Sequence, residues 1–93
     1  MGVRFSGAEE MIDMDPEIML LEPREKFDAA LVGYVERCGQ EAVACYDYEQ
    51  VIASLKSEGE MSEEEAQEWF SYNILGAWVG IRTPCFLFRS EAV

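Results

Sequence analysis

The chain has 93 residues, 49% of them apolar, with 7 Lys and Arg against 19 Asp and Glu, no histidine and a net charge of −12. This length supports one domain with an ordinary globular core. The missing histidine excludes Ser–His and Cys–His dyads and histidine metal sites, and the charge argues against binding a nucleic-acid backbone, which takes clustered Lys and Arg.

Residues 1–21 read as an acidic N-terminal arm. Gly2, Gly7 and Pro16 punctuate it, and Glu9, Glu10, Asp13, Asp15 and Glu17 charge it. A short amphipathic turn over residues 8–14 would stop at Pro16. Arg4 followed by acids makes no secretory signal pattern, and no run of about 18 apolar residues is present to span a membrane. Residues 18–21, Ile-Met-Leu-Leu, form an apolar run that suits a hydrophobic staple, an edge strand or a docking patch for a second copy.

Residues 22–93 read as a single α+β domain. A first helix is expected over residues 23–38, with Pro23 in the first turn. Phe27, Ala30, Leu31, Tyr34, Val35 and Cys38 recur at helical spacing, and Gly39 closes it. Residues 42–46 are short, apolar and β-compatible, so they read as a buried strand. Asp47 then caps a second helix over residues 48–58, with Gln50 as a capping-box partner and Gly59 as the stop. Its buried stripe is Tyr48, Val51, Ile52 and Leu55.

Ser62 caps a third helix, with Glu65 as its box partner and Glu63 and Glu64 in the first turn, where the helix dipole favours negative charge. Ala66, Trp69, Phe70, Asn73, Ile74 and Ala77 line one face of it. Residues 84–88 make the second strand. The order is helix, strand, helix, helix, strand: three helices on a two-stranded sheet, or a three-stranded one if residues 18–21 join it. A two-stranded sheet is marginal alone, so the sheet and the 18–21 run together invite a homodimer.

Three features bear on function. Eight acids fall between Glu9 and Asp28, and six between Glu58 and Glu68. Glu64 and Glu68 share a helical face at a spacing that slightly destabilises a helix, and Glu60 continues the patch. Part of this charge serves as caps and dipole partners; the rest reads either as a solvated, solubilising face or as carboxylates presented to a basic protein or, as a DNA mimic, to a nucleic-acid-binding protein. Six of the eleven aromatics lie in residues 69–88. Trp69, Phe70 and Phe86 read as core, whereas Tyr72 and Trp78 suit an interface because each has a polar handle. Asn73, on the apolar stripe, needs partners near Thr83. It reads as a structural amide or as the polar point of a small-ligand pocket with Trp78 and Thr83.

Cys38, Cys45 and Cys85 form an odd set without framework or zinc-type spacing, so they read as reduced thiols in a cytoplasmic protein, with no metal and no cofactor. No phosphate-cradling glycine motif and no converging carboxylate pair is present, so no catalytic residue is expected.

The runs Cys45-Tyr-Asp-Tyr-Glu49, Met61-Ser-Glu-Glu-Glu-Ala66, Tyr72-Asn73, Gly76-Ala-Trp-Val-Gly80 and Thr83-Pro84 resemble a family of small bacteriophage and prophage proteins. The resemblance spans about residues 26–88. Its most specific part is the Asn-x-x-Gly-Ala-Trp-Val-Gly…Thr-Pro stretch, and Ile81 departs from it where an acid would stand. It implies a phage or mobile-element accessory protein made in a bacterial cytoplasm, with no activity or catalytic residue to transfer. The function expected is protein–protein binding through the acidic surface, with the DNA mimic and the small-ligand module as alternatives.

Overall fold

The structure, a computed structural model, describes residues 7–76 and 80–90. Helix α1 spans Gly7–Met14 and α2 spans Arg24–Phe27, continuing as a 3-10 turn over Asp28–Ala30. Strands β1 (Leu31–Arg37) and β2 (Gln40–Asp47) follow. Helix α3 covers Tyr48–Glu58 and α4 covers Glu63–Phe70, running on as a π-helical turn over Ser71–Leu75, and β3 is Cys85–Leu87. The three strands form a mixed sheet in the order β1-β2-β3, with β1 antiparallel and β3 parallel to β2.

The α+β class holds, with four α-helices among the described residues in place of three and one more strand there than the two expected from residues 42–46 and 84–88. The main correction is residues 31–37. The expected first helix ends at Ala30, and the chain then extends into β1. Val32, Tyr34 and Val35 are strand-favouring residues, and Leu31 and Val35 share a face in a strand as they do in a helix, whereas Tyr34 changes sides. Leu31, Gly33 and Val35 are half-buried, whereas Val32, Tyr34 and Glu36 are exposed. Gly39 is a hairpin residue with φ +74°, joining Arg37 to its register partner Gln40. This hairpin supplies the third strand that residues 18–21 were a candidate for.

Residues 18–21 instead pack inward at three of their four positions, with Met19 exposed. Ile18 is buried, and Leu20 and Leu21 lie against the core. The Leu21 N–H donates to Tyr46 Oη at 2.8 Å. Tyr46 is fully buried, and that burial raises its pKa despite the bond from Leu21. In α1, Ala8 and Met11 are buried, and the helix packs on β1. The sheet therefore has a third strand without the 18–21 run, and Ile18, Leu20 and Leu21 of that run are taken up by this chain's own core.

The local signals further along match the structure closely. Asp47 caps α3 by accepting the Glu49 N–H at 3.3 Å, although Gln50 does not close the expected box. Ser62 and Glu65 form the full capping box of α4, at 3.2 and 2.9 Å. Val51, Ile52 and Leu55 of α3 meet Ala66, Phe70 and Ile74 of α4 in one core with Ala44 and Tyr46 of β2. Phe70 is its aromatic centre, edge-on to Tyr48 at 5.1 Å and to Phe86 at 4.9 Å between ring centroids. Arg82 ties the last loop to the rest of the chain. It pairs with Asp15 and Glu41 and donates through Nε to the Ala42 carbonyl at 2.9 Å.

Candidate interaction surface

The outward face of α4 begins with its capping box and ends in the π turn. Charge-rich residues 63–65 fill the first turn and Ala66, Phe70 and Ile74 face the core, so Glu64, Glu68 and Tyr72 fall on the opposite side by helical spacing. An open groove there is lined by Glu64, Gln67, Glu68, Ser71 and Tyr72. Tyr72 is 82% exposed. Lys56 pairs with Glu63, and Glu65 serves the cap, but Glu64 and Glu68 make no ion pair with a described residue. The groove therefore combines two unneutralised carboxylates with an unprotected aromatic ring. Gln67 and Ser71 could have been read from the sequence, since they lie between the named residues on the same face.

The π turn shapes the end of this surface. The Gly76 N–H reaches the Ser71 carbonyl at 3.1 Å. A Cβ on Gly76 would lie 3.0 Å from that carbonyl oxygen, so a glycine suits the closure. Asn73 is exposed rather than buried, and its Nδ2 donates to the Trp69 carbonyl at 3.1 Å where the helix loosens. This meets the amide's hydrogen-bonding need from its own helix, without Thr83. The Thr83 hydroxyl donates to the Gly80 carbonyl.

Trp69, expected in the core, is 36% exposed. Its ring receives Lys26, whose Nζ lies 5.9 Å from the ring centroid. Phe70 and Phe86 do belong to the aromatic core, and Phe88 stacks on Tyr48 at 4.3 Å while remaining exposed. Trp78 lies outside the described residues. Glu60 lies in the α3–α4 connection and does not line the groove. Its φ of +53° places a non-glycine residue in the left-handed region, which costs about 1 kcal/mol. Glu60→Gly is expected to raise stability by about 1 kcal/mol in urea unfolding; an unchanged or lowered midpoint would show that the Glu60 side chain stabilises the turn.

Asn73 and Thr83, named together from the sequence, do meet around one cavity of about 210 Å³. Met19, Leu20, Leu21, Ile74, Pro84 and Phe86 supply its apolar walls, and Glu22 adds a third polar group. The run at residues 19–21 could not be assigned to this site from the sequence, because only the fold brings it beside the end of α4. Among the described residues no cluster of three or more Cys, Asp or Glu is placed to hold a metal ion, and no helix is long and apolar enough to cross a membrane. Compared with known proteins, the chain matches no family model, no curated protein and no solved structure.

Proposed function

We propose that the protein is a non-enzymatic accessory protein, of the bacteriophage or prophage kind its motifs resemble, that binds a Lys/Arg-rich segment of a protein partner along α4. The observation that carries this reading is the groove in which Glu64 and Glu68 lack cations beside the exposed Tyr72. Carboxylates attract and orient basic side chains, and an aromatic face receives an ammonium or guanidinium by cation–π attraction. Lys26 on Trp69 is an internal instance of the second contact on the same helix. Exposed acids also occur on α1 (Glu9, Glu10, Asp13), the hairpin (Glu36, Glu41) and α3 (Glu49, Glu58). That spread counts against a DNA mimic, which needs its charge on one phosphate-like face.

The test is calorimetric titration with a short Lys/Arg-rich peptide at low salt. The double substitution Glu64→Lys/Glu68→Lys is expected to weaken binding by about tenfold or more and to flatten its salt dependence. Binding that survives this reversal undiminished removes the reading.

A small-ligand module is a second reading, favoured by the cavity at Asn73 and Thr83. Its apolar walls and few polar groups suit a small neutral compound. A compound screen that leaves the amide signals of Asn73, Ile74 and Thr83 unmoved rules it out.

A further inference from the structure

Cys45 and Cys85 are forty residues apart in sequence, and the fold makes them direct register partners on β2 and β3. Paired residues of neighbouring strands project to the same face of a sheet. The two side chains are near neighbours across the strand pair, and both thiols are free. The register partner of Cys45 on its other side is Gly33, so no side chain there competes with Cys85 for the thiol. Adjacent strands run about 4.8 Å apart, inside the Cα separation of about 4.4–6.8 Å that a disulfide spans. The Cβ atoms of a disulfide sit closer than that strand spacing, so a bridge here would draw the strands together. Such strained bonds are the readily reduced ones.

We propose that Cys45 and Cys85 are a reversible redox pair, forming an intramolecular disulfide by exchange with a low-molecular-weight disulfide such as oxidised glutathione. Cys85 is half-buried and opens onto a cleft that Arg37 also lines, so it meets the oxidant first, with a cation beside it for the glutathione carboxylates. The Cys85 thiolate attacks one sulfur of oxidised glutathione, forming a mixed disulfide and releasing one glutathione thiolate. Cys45 loses its proton to solvent and attacks the Cys85 sulfur. The Cys45–Cys85 bond forms, the mixed disulfide breaks, and the second glutathione leaves. Two protein thiols are oxidised and one disulfide is reduced; the Cys85 and Cys45 protons, released to solvent before each attack, are taken up from it by the two departing glutathione thiolates.

Burial, and next the Cys85 thiol beside it, push the Cys45 thiol up to about 11. The second step therefore accelerates about tenfold per pH unit below that value, because only the thiolate attacks. The bridge ties the short strand β3 to β2, which is expected to slow amide hydrogen exchange at Tyr46 and Phe86 by about tenfold or more.

The test uses the full chain with Cys38→Ser, since Cys38 is an exposed thiol away from the pair. Folded protein is incubated with oxidised glutathione and examined by intact mass and non-reducing peptide mapping. The expected result is a monomer lighter by two hydrogens, with the Cys45 and Cys85 peptides linked, and reversal by dithiothreitol. In Cys38→Ser/Cys45→Ser the reaction is expected to stop at a stable glutathione adduct on Cys85. A Cys38→Ser protein that keeps both thiols, stops at the adduct at equilibrium, or forms the bridge only after urea is added overturns the proposal.

Discussion

Phe70→Ala is expected to destabilise the protein by about 3–5 kcal/mol, the largest single loss available in this core. Phe70 is 1% exposed and is shared by α3, α4 and the sheet through Tyr48, Phe86 and the core aliphatics. Truncation removes the transfer energy of a whole ring and leaves a cavity that three elements would have to close together. A domain of this length is expected to have about 5–14 kcal/mol of total stability, so the loss should lower the melting midpoint by at least about 12 °C. Phe70→Leu, which keeps much of the volume, should lose less than half as much. Thermal and urea unfolding followed by circular dichroism would check both. A change under about 1 kcal/mol for Phe70→Ala would mean that Phe70 is not the centre of the core.

Arg82→Met has the second large effect, about 2 kcal/mol or about 10 °C in melting midpoint. The guanidinium is 11% exposed and meets Asp15, Glu41 and the Ala42 carbonyl, so one side chain joins the end of α1, the start of β2 and the last loop. Removing it strands the Asp15 carboxylate, which is 31% exposed. The estimate is set below that for a fully buried pair, because water reaches Asp15. Replacing both residues, Asp15→Leu with Arg82→Met, should recover part of the loss, since no charge is then left unpaired. A double variant as unstable as the sum of the singles would show that Arg82 acts through packing alone.

What the sequence disclosed follows from how local each signal is. Ser62 with Glu65, Asp47 at the start of α3 and Gly59 at its end are complete within one turn of chain, and each is found where the residues placed it. Residues 31–37 fit either element on their apolar content, because Leu31 and Val35 share a face in a helix and in a strand alike, and only the exposure of Tyr34 separates the two. The partner that decides between them, β2, lies across a turn whose Gly39 serves equally as a helix stop or a hairpin residue. Glu64, Glu68 and Tyr72 were legible as a surface because a single helix carries them. The cavity at Asn73 and Thr83 was half legible, since residues 19–21 reach it only through the tertiary fold. The pairing of Cys45 with Cys85 depends on strand register, which no spacing rule supplies.

The central claim, that α4 is a localised docking face rather than one part of a uniformly acidic surface, is tested most directly by amide chemical-shift mapping with a Lys/Arg-rich peptide. Binding at α4 predicts that the signals of Glu64, Gln67, Glu68, Ser71 and Tyr72 move together and saturate with one affinity. Shifts of equal size at Glu9, Glu10, Glu36 and Glu41, or none at Tyr72, would contradict it.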